Sequence, residues 1–175
     1  MMRLSQLVAA AGLLIGMVGC QPNAAPTQPA APTLEVLPTA AAEEGIWLEQ
    51  PFGGGTLAVY FYTAADGAAC VRFLTDLPNA QPFSACAAPD VMAAVAQGVI
   101  RTAEGQDYTV IAARMLHTDI TTLVVELRGG ESYPLAVDAG GALLILPAVQ
   151  QVWQAVPIDA FGNTVGSLIQ LGTPQ

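Results

Sequence analysis

Segments in which large apolar residues stand at every second position recur along this chain from Gly45 onward. Residues 56–63 follow this pattern through Leu57, Val59 and Phe61, and residues 121–128 repeat it. A period of two residues is typical of a β-strand that buries one face. Whatever else the chain does, it therefore has to fold by pairing strands.

Turn sequences separate these segments. Asp66-Gly67, Glu104-Gly105, Gly129-Gly130 and Gly140-Gly141 supply the positive φ angles that tight turns between antiparallel strands require. Further strand candidates are residues 46–50, 69–75, 98–103, 108–115, 132–137, 142–146, 152–158 and 165–171. Short strands at this spacing predict an all-β fold, an antiparallel β-sandwich.

A short helix is an alternative for residues 90–97. Pro89 and Asp90 form a suitable helix start, Val91 to Gln97 a helical body, and Gly98 a stop. We therefore allow one short helix within the β-sandwich.

The alternation of strands and turns is clearest between His117 and Gln170. It ends with a strand, the turn Asp159-Ala160-Phe161-Gly162-Asn163 and a closing strand. This order resembles small immunoglobulin-like β-sandwich modules of bacterial envelope proteins. The resemblance implies an immunoglobulin-like fold and carries no functional residues, because such modules serve many roles.

The N-terminus has the features of an export signal. Arg3 gives a positive start, residues 7–18 are continuously apolar, and this run is too short to span a bilayer, which takes about 20 apolar residues. Met17-Val18-Gly19-Cys20 resembles the lipobox of bacterial lipoproteins, with Met17 where Leu is usual. The resemblance implies lipid attachment at Cys20; the alternative is an ordinary secretory leader whose last Cys is incidental.

The sequence therefore divides into three parts. Residues 1–19 are a predicted lipoprotein signal peptide, residues 20–43 a disordered spacer rich in Pro, Ala and Thr, and residues 44–175 a single β-sandwich domain. In an extended polyproline conformation, such a spacer would reach about 60 to 70 Å. The expected location is the cell membrane or outer membrane, with the domain on the extracytoplasmic side.

Charge and cysteine content limit the partners. The chain has a formal charge of -9 and only five basic residues, all Arg, which disfavours nucleic acid. Beyond Cys20, Cys70 and Cys86 remain as a pair, and we expect a disulfide in an exported protein. A metal site is disfavoured because there is no CxxC spacing and His117 is the only histidine. We expect no cofactor.

Two groups of side chains are candidate sites. Tyr60 and Tyr62 share one strand face, and together with Trp47 and Trp153 they form a candidate binding patch for glycans or peptides, although aromatic residues also fill cores. His117 and Asp119 would share a face, and one of three serines could complete a nucleophilic triad. Those serines, Ser84, Ser132 and Ser167, lack the Gly-x-Ser-x-Gly motif.

These observations favour a non-catalytic function. We expect a lipid-anchored binding module for a protein or glycan at the cell envelope, with an accessory subunit of an envelope complex as the alternative. A hydrolase of an unrecognised type is the third hypothesis. Nothing in the chain identifies the ligand.

Replacing Cys20 by Ser should release the protein from membranes, because the acyl chains on this residue would supply the anchoring energy, about 0.8 kcal/mol for each buried CH₂ group. Membrane fractionation and mass spectrometry of the mature N-terminus measure the effect. Ala24→Ser in the predicted spacer, which keeps Cys20 and both cysteines of the expected disulfide, is the control and should leave fractionation unchanged. An unmodified thiol on Cys20 in the wild-type protein would contradict the lipoprotein interpretation.

Overall fold

Eleven strands make up the regular structure of the protein in a computed structural model that describes residues 45–78 and 80–172. Cys20 and the predicted signal peptide and spacer, residues 1–43, lie outside the described residues. The strands are β1 (Gly45–Phe52), β2 (Gly55–Thr63), β3 (Ala69–Thr75), β4 (Phe83–Cys86), β5 (Ala93–Arg101), β6 (Asp107–Met115), β7 (Ile120–Leu127), β8 (Ser132–Ala136), β9 (Gly141–Pro147), β10 (Val152–Asp159) and β11 (Ile169–Gln170).

The strands form three antiparallel sheets. Sheet A has the order β1-β2-β3-β4, sheet B the order β5-β6-β9, and sheet C the order β11-β10-β7-β8. Most strands that pair within a sheet are also consecutive in the chain and form hairpins, as the turn sequences predict. The exceptions are β9, which pairs with β6, and β10, which pairs with β7. The predicted all-β antiparallel sandwich is confirmed. The immunoglobulin-like arrangement is not, because the described strands form three sheets rather than two.

Sheet B is the central layer, since both of its faces are buried. On β6, Ile111 and Ala113 pack into a core shared with sheet C, whereas Val110 and Ala112 pack into a second core shared with sheet A. The residues of β5 and β9 alternate between the two cores in the same way. Sheets A and C therefore cover opposite faces of sheet B.

The expectation of a helix at residues 90–97 is wrong, because the chain there enters β5. Ala93 and Val95 reach the core with sheet C, and Ala94 and Ala96 reach the core with sheet A. A strand buried on both faces has a continuous apolar sequence, which cannot be distinguished from a buried helix by periodicity. No helix long and apolar enough to cross a membrane occurs among the described residues.

Cys70 and Cys86 lie directly opposite each other on β3 and β4. Their Sγ atoms are 1.94 Å apart, the distance of a disulfide bond, as the sequence predicts. The bond ties the short edge strand β4 to sheet A. In the chain-entropy model, closing a loop of this size contributes about 3 kcal/mol by restricting the unfolded chain.

Gly98 on β5 is packed beneath the Phe83 ring of β4, and a Cβ atom added there would lie 2.4 Å from Phe83 Cδ1. Gly98→Ala should therefore lower the free energy of unfolding by about 1 to 3 kcal/mol through overpacking. Urea denaturation measures this change. Gly129→Ala is the matched control, because nothing lies within 4 Å of its added Cβ. Equal effects of the two substitutions would contradict the close packing of β4 on β5.

Candidate functional site

The two tyrosines of the predicted patch lie together on the outer face of sheet A. In β2, Val59 and Phe61 turn towards sheet B, so Tyr60 and Tyr62 turn away from it. Tyr60 is paired with Arg72 of β3, and Tyr62 with Cys70. The two tyrosines thus share one strand face, while binding by this face stays a prediction.

The side chain of Arg72 lies beside both tyrosine rings. Its Cζ atom is 5.6 Å from the centroid of the Tyr60 ring and 5.8 Å from that of the Tyr62 ring, within the range of cation–π attraction. Opposite Tyr60 on β1 stands Ile46, whose side chain is 59% exposed, and opposite Arg72 on β4 stands Ser84. We call these five residues the tyrosine face.

The tyrosine face is supported from the core side. Arg114 of β6 donates a hydrogen bond from Nη1 to the carbonyl oxygen of Tyr62 at 2.7 Å, and its Cζ lies 5.6 Å from the centroid of the Phe61 ring. The disulfide lies next to Tyr62, whose hydroxyl is 3.9 Å from Cys86 Sγ. Contacts from the central sheet and from β4 therefore fix the backbone that carries the tyrosines.

The two tryptophans do not join this face, so the predicted four-residue patch does not form. Trp47 is the extra residue of a bulge in β1 and turns into the core, where it stacks on Phe61 at 5.4 Å and donates a hydrogen bond to the Asp138 carbonyl. Trp153 lies on β10 in sheet C and is 47% exposed. The bulge that redirects Trp47 has no signal in the sequence.

His117 and Asp119 meet in the link between β6 and β7, with Nδ1 and Oδ2 3.2 Å apart, and both side chains are exposed. A cavity of about 340 Å³ adjoins His117, but Ser84, Ser132 and Ser167 are not among its lining residues. None of the three serines of the predicted triad therefore lines the cavity beside this pair. Within residues 45–78 and 80–172, no cluster of His, Cys, Asp or Glu side chains could hold a metal ion.

A second feature, which the sequence analysis missed, is a groove of about 660 Å³ between the β3–β4 link and the end of β5. Arg101 and Asp107 line it and form a two-point ion pair, with Nε to Oδ1 at 2.7 Å and Nη2 to Oδ2 at 2.9 Å. In the sequence, the only sign of this feature is that Arg101 and Asp107, which have opposite charges, stand on either side of the Glu104-Gly105 turn. The other lining residues are Pro78, Ala80, Gln81, Phe83, Val99, Ile100, Thr102, Ala103 and Gly105.

The ion pair makes stability depend on pH. The hydrogen bonds from Arg101 hold the pKa of the Asp107 carboxyl below its ordinary value. The stabilisation of the fold by this carboxylate is therefore present above the unfolded-state pKa and is lost as the pH falls through the folded-state pKa.

Asp107→Asn should lower the melting temperature at pH 7, and the difference from wild type should shrink towards about pH 3. Asp90→Asn, which removes an exposed carboxylate outside the ion pair, is the control for the loss of one negative charge. A pH-independent effect of Asp107→Asn would contradict the assignment.

Comparison with known proteins provides no family for this chain: no protein-family model, curated protein or solved structure matches it. The tyrosine face and the groove are thus the features from which function can be inferred. The first is an exposed sheet surface with two aromatic rings beside a guanidinium, and the second is a groove lined by an ion pair and apolar side chains.

Proposed function

We propose that this protein is a lipid-anchored, extracytoplasmic binding module that holds a protein or glycan partner at the cell envelope without catalysing a reaction. The observation that carries the proposal is the tyrosine face, where two aromatic rings and a guanidinium lie side by side on an outer sheet surface. The lipobox-like sequence ending at Cys20 supports the anchor, and the spacer that follows supports presentation at a distance from the membrane.

The residue types of the tyrosine face suit recognition. Tyr and Arg are enriched among the residues that dominate binding energy, since each combines a large flat contact area with polar atoms. A tyrosine has few rotatable bonds, so it loses little conformational entropy when a partner binds. Here Arg72 and the paired strands already restrict both rings, which reduces the cost further.

An accessory subunit of an envelope complex is the second candidate function. The observation that favours it is the exposure of Trp153 and Leu168, which flank the pairing of β10 with β11 in sheet C. Such a role would use sheet C and leave the tyrosine face unoccupied, so substitutions on the two sheets separate the two functions.

The double substitution Tyr60→Ala/Tyr62→Ala in the full-length, membrane-anchored protein should weaken capture of the partner about tenfold or more, equivalent to about 1.4 kcal/mol. A photo-crosslinking residue at position 46 reports protein partners, and co-sedimentation with purified cell-wall polysaccharide reports glycan partners. Trp153→Ala is the matched control on the other outer sheet. Circular dichroism and thermal melting show that each variant is folded.

Two outcomes would contradict the proposal. Capture that is unaffected by the double substitution would exclude the tyrosine face as the binding surface. Capture that is lost only in Trp153→Ala would favour the accessory-subunit function instead.

A further inference from the structure

Strand β5 is an edge of the central sheet, and its hydrogen-bond register shows which residues point outwards. The amide of Thr102 donates to the carbonyl of Gln106 at 2.8 Å, and the amide of Leu116 donates to the carbonyl of Met92 at 2.8 Å. Since bonded positions alternate in an antiparallel pair, the even-numbered residues of β5 bond to β6. The odd-numbered residues direct their N–H and C=O groups towards the free edge.

Val99 and Arg101 are therefore the outward-pointing residues at the end of β5. Within the described part of the chain, β5 pairs with β6 alone, and no backbone hydrogen bond satisfies the outward groups of these two residues. Unpaired N–H and C=O groups along a strand edge form a template on which another extended chain can pair.

The groove runs along this free edge. Val99, Ile100 and Arg101 line it from β5, whereas Phe83 lines it from β4 and Pro78 from the β3–β4 link, which together we call the sheet A wall. An extended segment placed in the groove would meet the unpaired backbone groups on one side and apolar side chains on the other. Because the sheet A wall stands beside the edge, the groove suits a single extended segment better than the edge of a second folded sheet.

The charges around the groove indicate which charged residue the bound segment should contain. Arg101 and Asp107 neutralise each other, whereas Glu104 is exposed at the rim, in the turn between the lining residues Ala103 and Gly105, and is not itself part of the lining. A basic residue next to an alternating apolar pattern would complement both the carboxylate and the apolar wall.

We infer that this groove binds an extended peptide segment of another protein, which adds to the edge of β5 as an antiparallel or parallel strand through the backbone groups of Val99 and Arg101. Its alternate apolar side chains pack against the sheet A wall, and a Lys or Arg faces Glu104. The site is separate from the tyrosine face and does not depend on the function proposed for it. Strand addition of this kind draws affinity from the main chain and specificity from side-chain pockets.

The probe is a phage-displayed library of random heptapeptides, selected against the full chain in detergent micelles. Selected peptides should combine alternate apolar residues with Lys or Arg. When they are synthesised, N-methylation of their alternate backbone amides should weaken binding at least tenfold, because it removes donors and leaves the side chains unchanged. Binding should also slow hydrogen exchange of the Val99 and Arg101 amides at least tenfold.

Val99→Pro removes one outward N–H without removing a bond to β6, and an edge position tolerates proline. It should bind the selected peptides at least tenfold more weakly than Val99→Ala, which keeps the N–H. Tyr60→Ala/Tyr62→Ala should bind them as the wild type does. The exchange and N-methylation measurements use the wild-type chain, so they decide the question even if Val99→Pro does not fold.

Three results of the peptide experiments would overturn the inference. They are the absence of any enriched peptide, binding that N-methylation does not weaken, and binding without protection of the Val99 and Arg101 amides. A wild-type dimer that Val99→Pro dissociates would identify a second copy of the chain as the occupant and would equally overturn it.

Discussion

Burial of both faces of the central sheet is the constraint on which the rest of this structure depends. Strands β5 and β6 alternate between two cores, so neither outer sheet can be removed without exposing a full apolar face. The requirement explains the many small residues of these strands, such as Ala94, Ala96 and Ala112, which leave room for larger side chains from sheet A. Gly98 beneath the Phe83 ring is the extreme case.

The same constraint determines where binding can occur. Because sheet B is covered on both sides, it can offer a partner only its edges and strand ends, whereas sheets A and C each offer an outer face. The two candidate sites follow this division: the tyrosine face uses the outer side of sheet A, and the groove uses the free edge of β5. Arg114 connects the layers, since it belongs to the central sheet and hydrogen-bonds to the backbone of Tyr62.

Local patterns in the sequence predict much of this fold. The period of two in residues 56–63 and the turns at Asp66-Gly67, Glu104-Gly105 and Gly129-Gly130 give strands and hairpins correctly, whereas Gly140-Gly141 joins β8 of sheet C to β9 of sheet B instead of forming a hairpin. The Cys70–Cys86 pairing follows from cysteine count and expected export. The error at residues 90–97 has a physical cause, because a strand buried on both faces loses the alternation that identifies strands. The three-sheet arrangement depends on long-range pairing of β9 with β6, which no local pattern encodes.

The candidate sites show the same division between local and long-range information. Tyr60 and Tyr62 share a face because they are two residues apart, which the sequence reveals directly. Their contact with Arg72 depends on the register of β3, and the inward turn of Trp47 depends on a one-residue bulge. The groove at β5 is formed by segments distant in sequence, so the sequence could supply only the Arg101–Asp107 pair at its margin.

The return of β9 to the central sheet also bears on how the polypeptide can be divided. In chain order, β7 and β8 of sheet C are made before β9, the third strand of sheet B. A cut between β6 and β7 would leave the first fragment with a two-stranded centre and the second with an isolated central strand. Strands of sheets B and C thus alternate along the chain, so the layers within residues 45–172 can complete one another only after β9 has been synthesised.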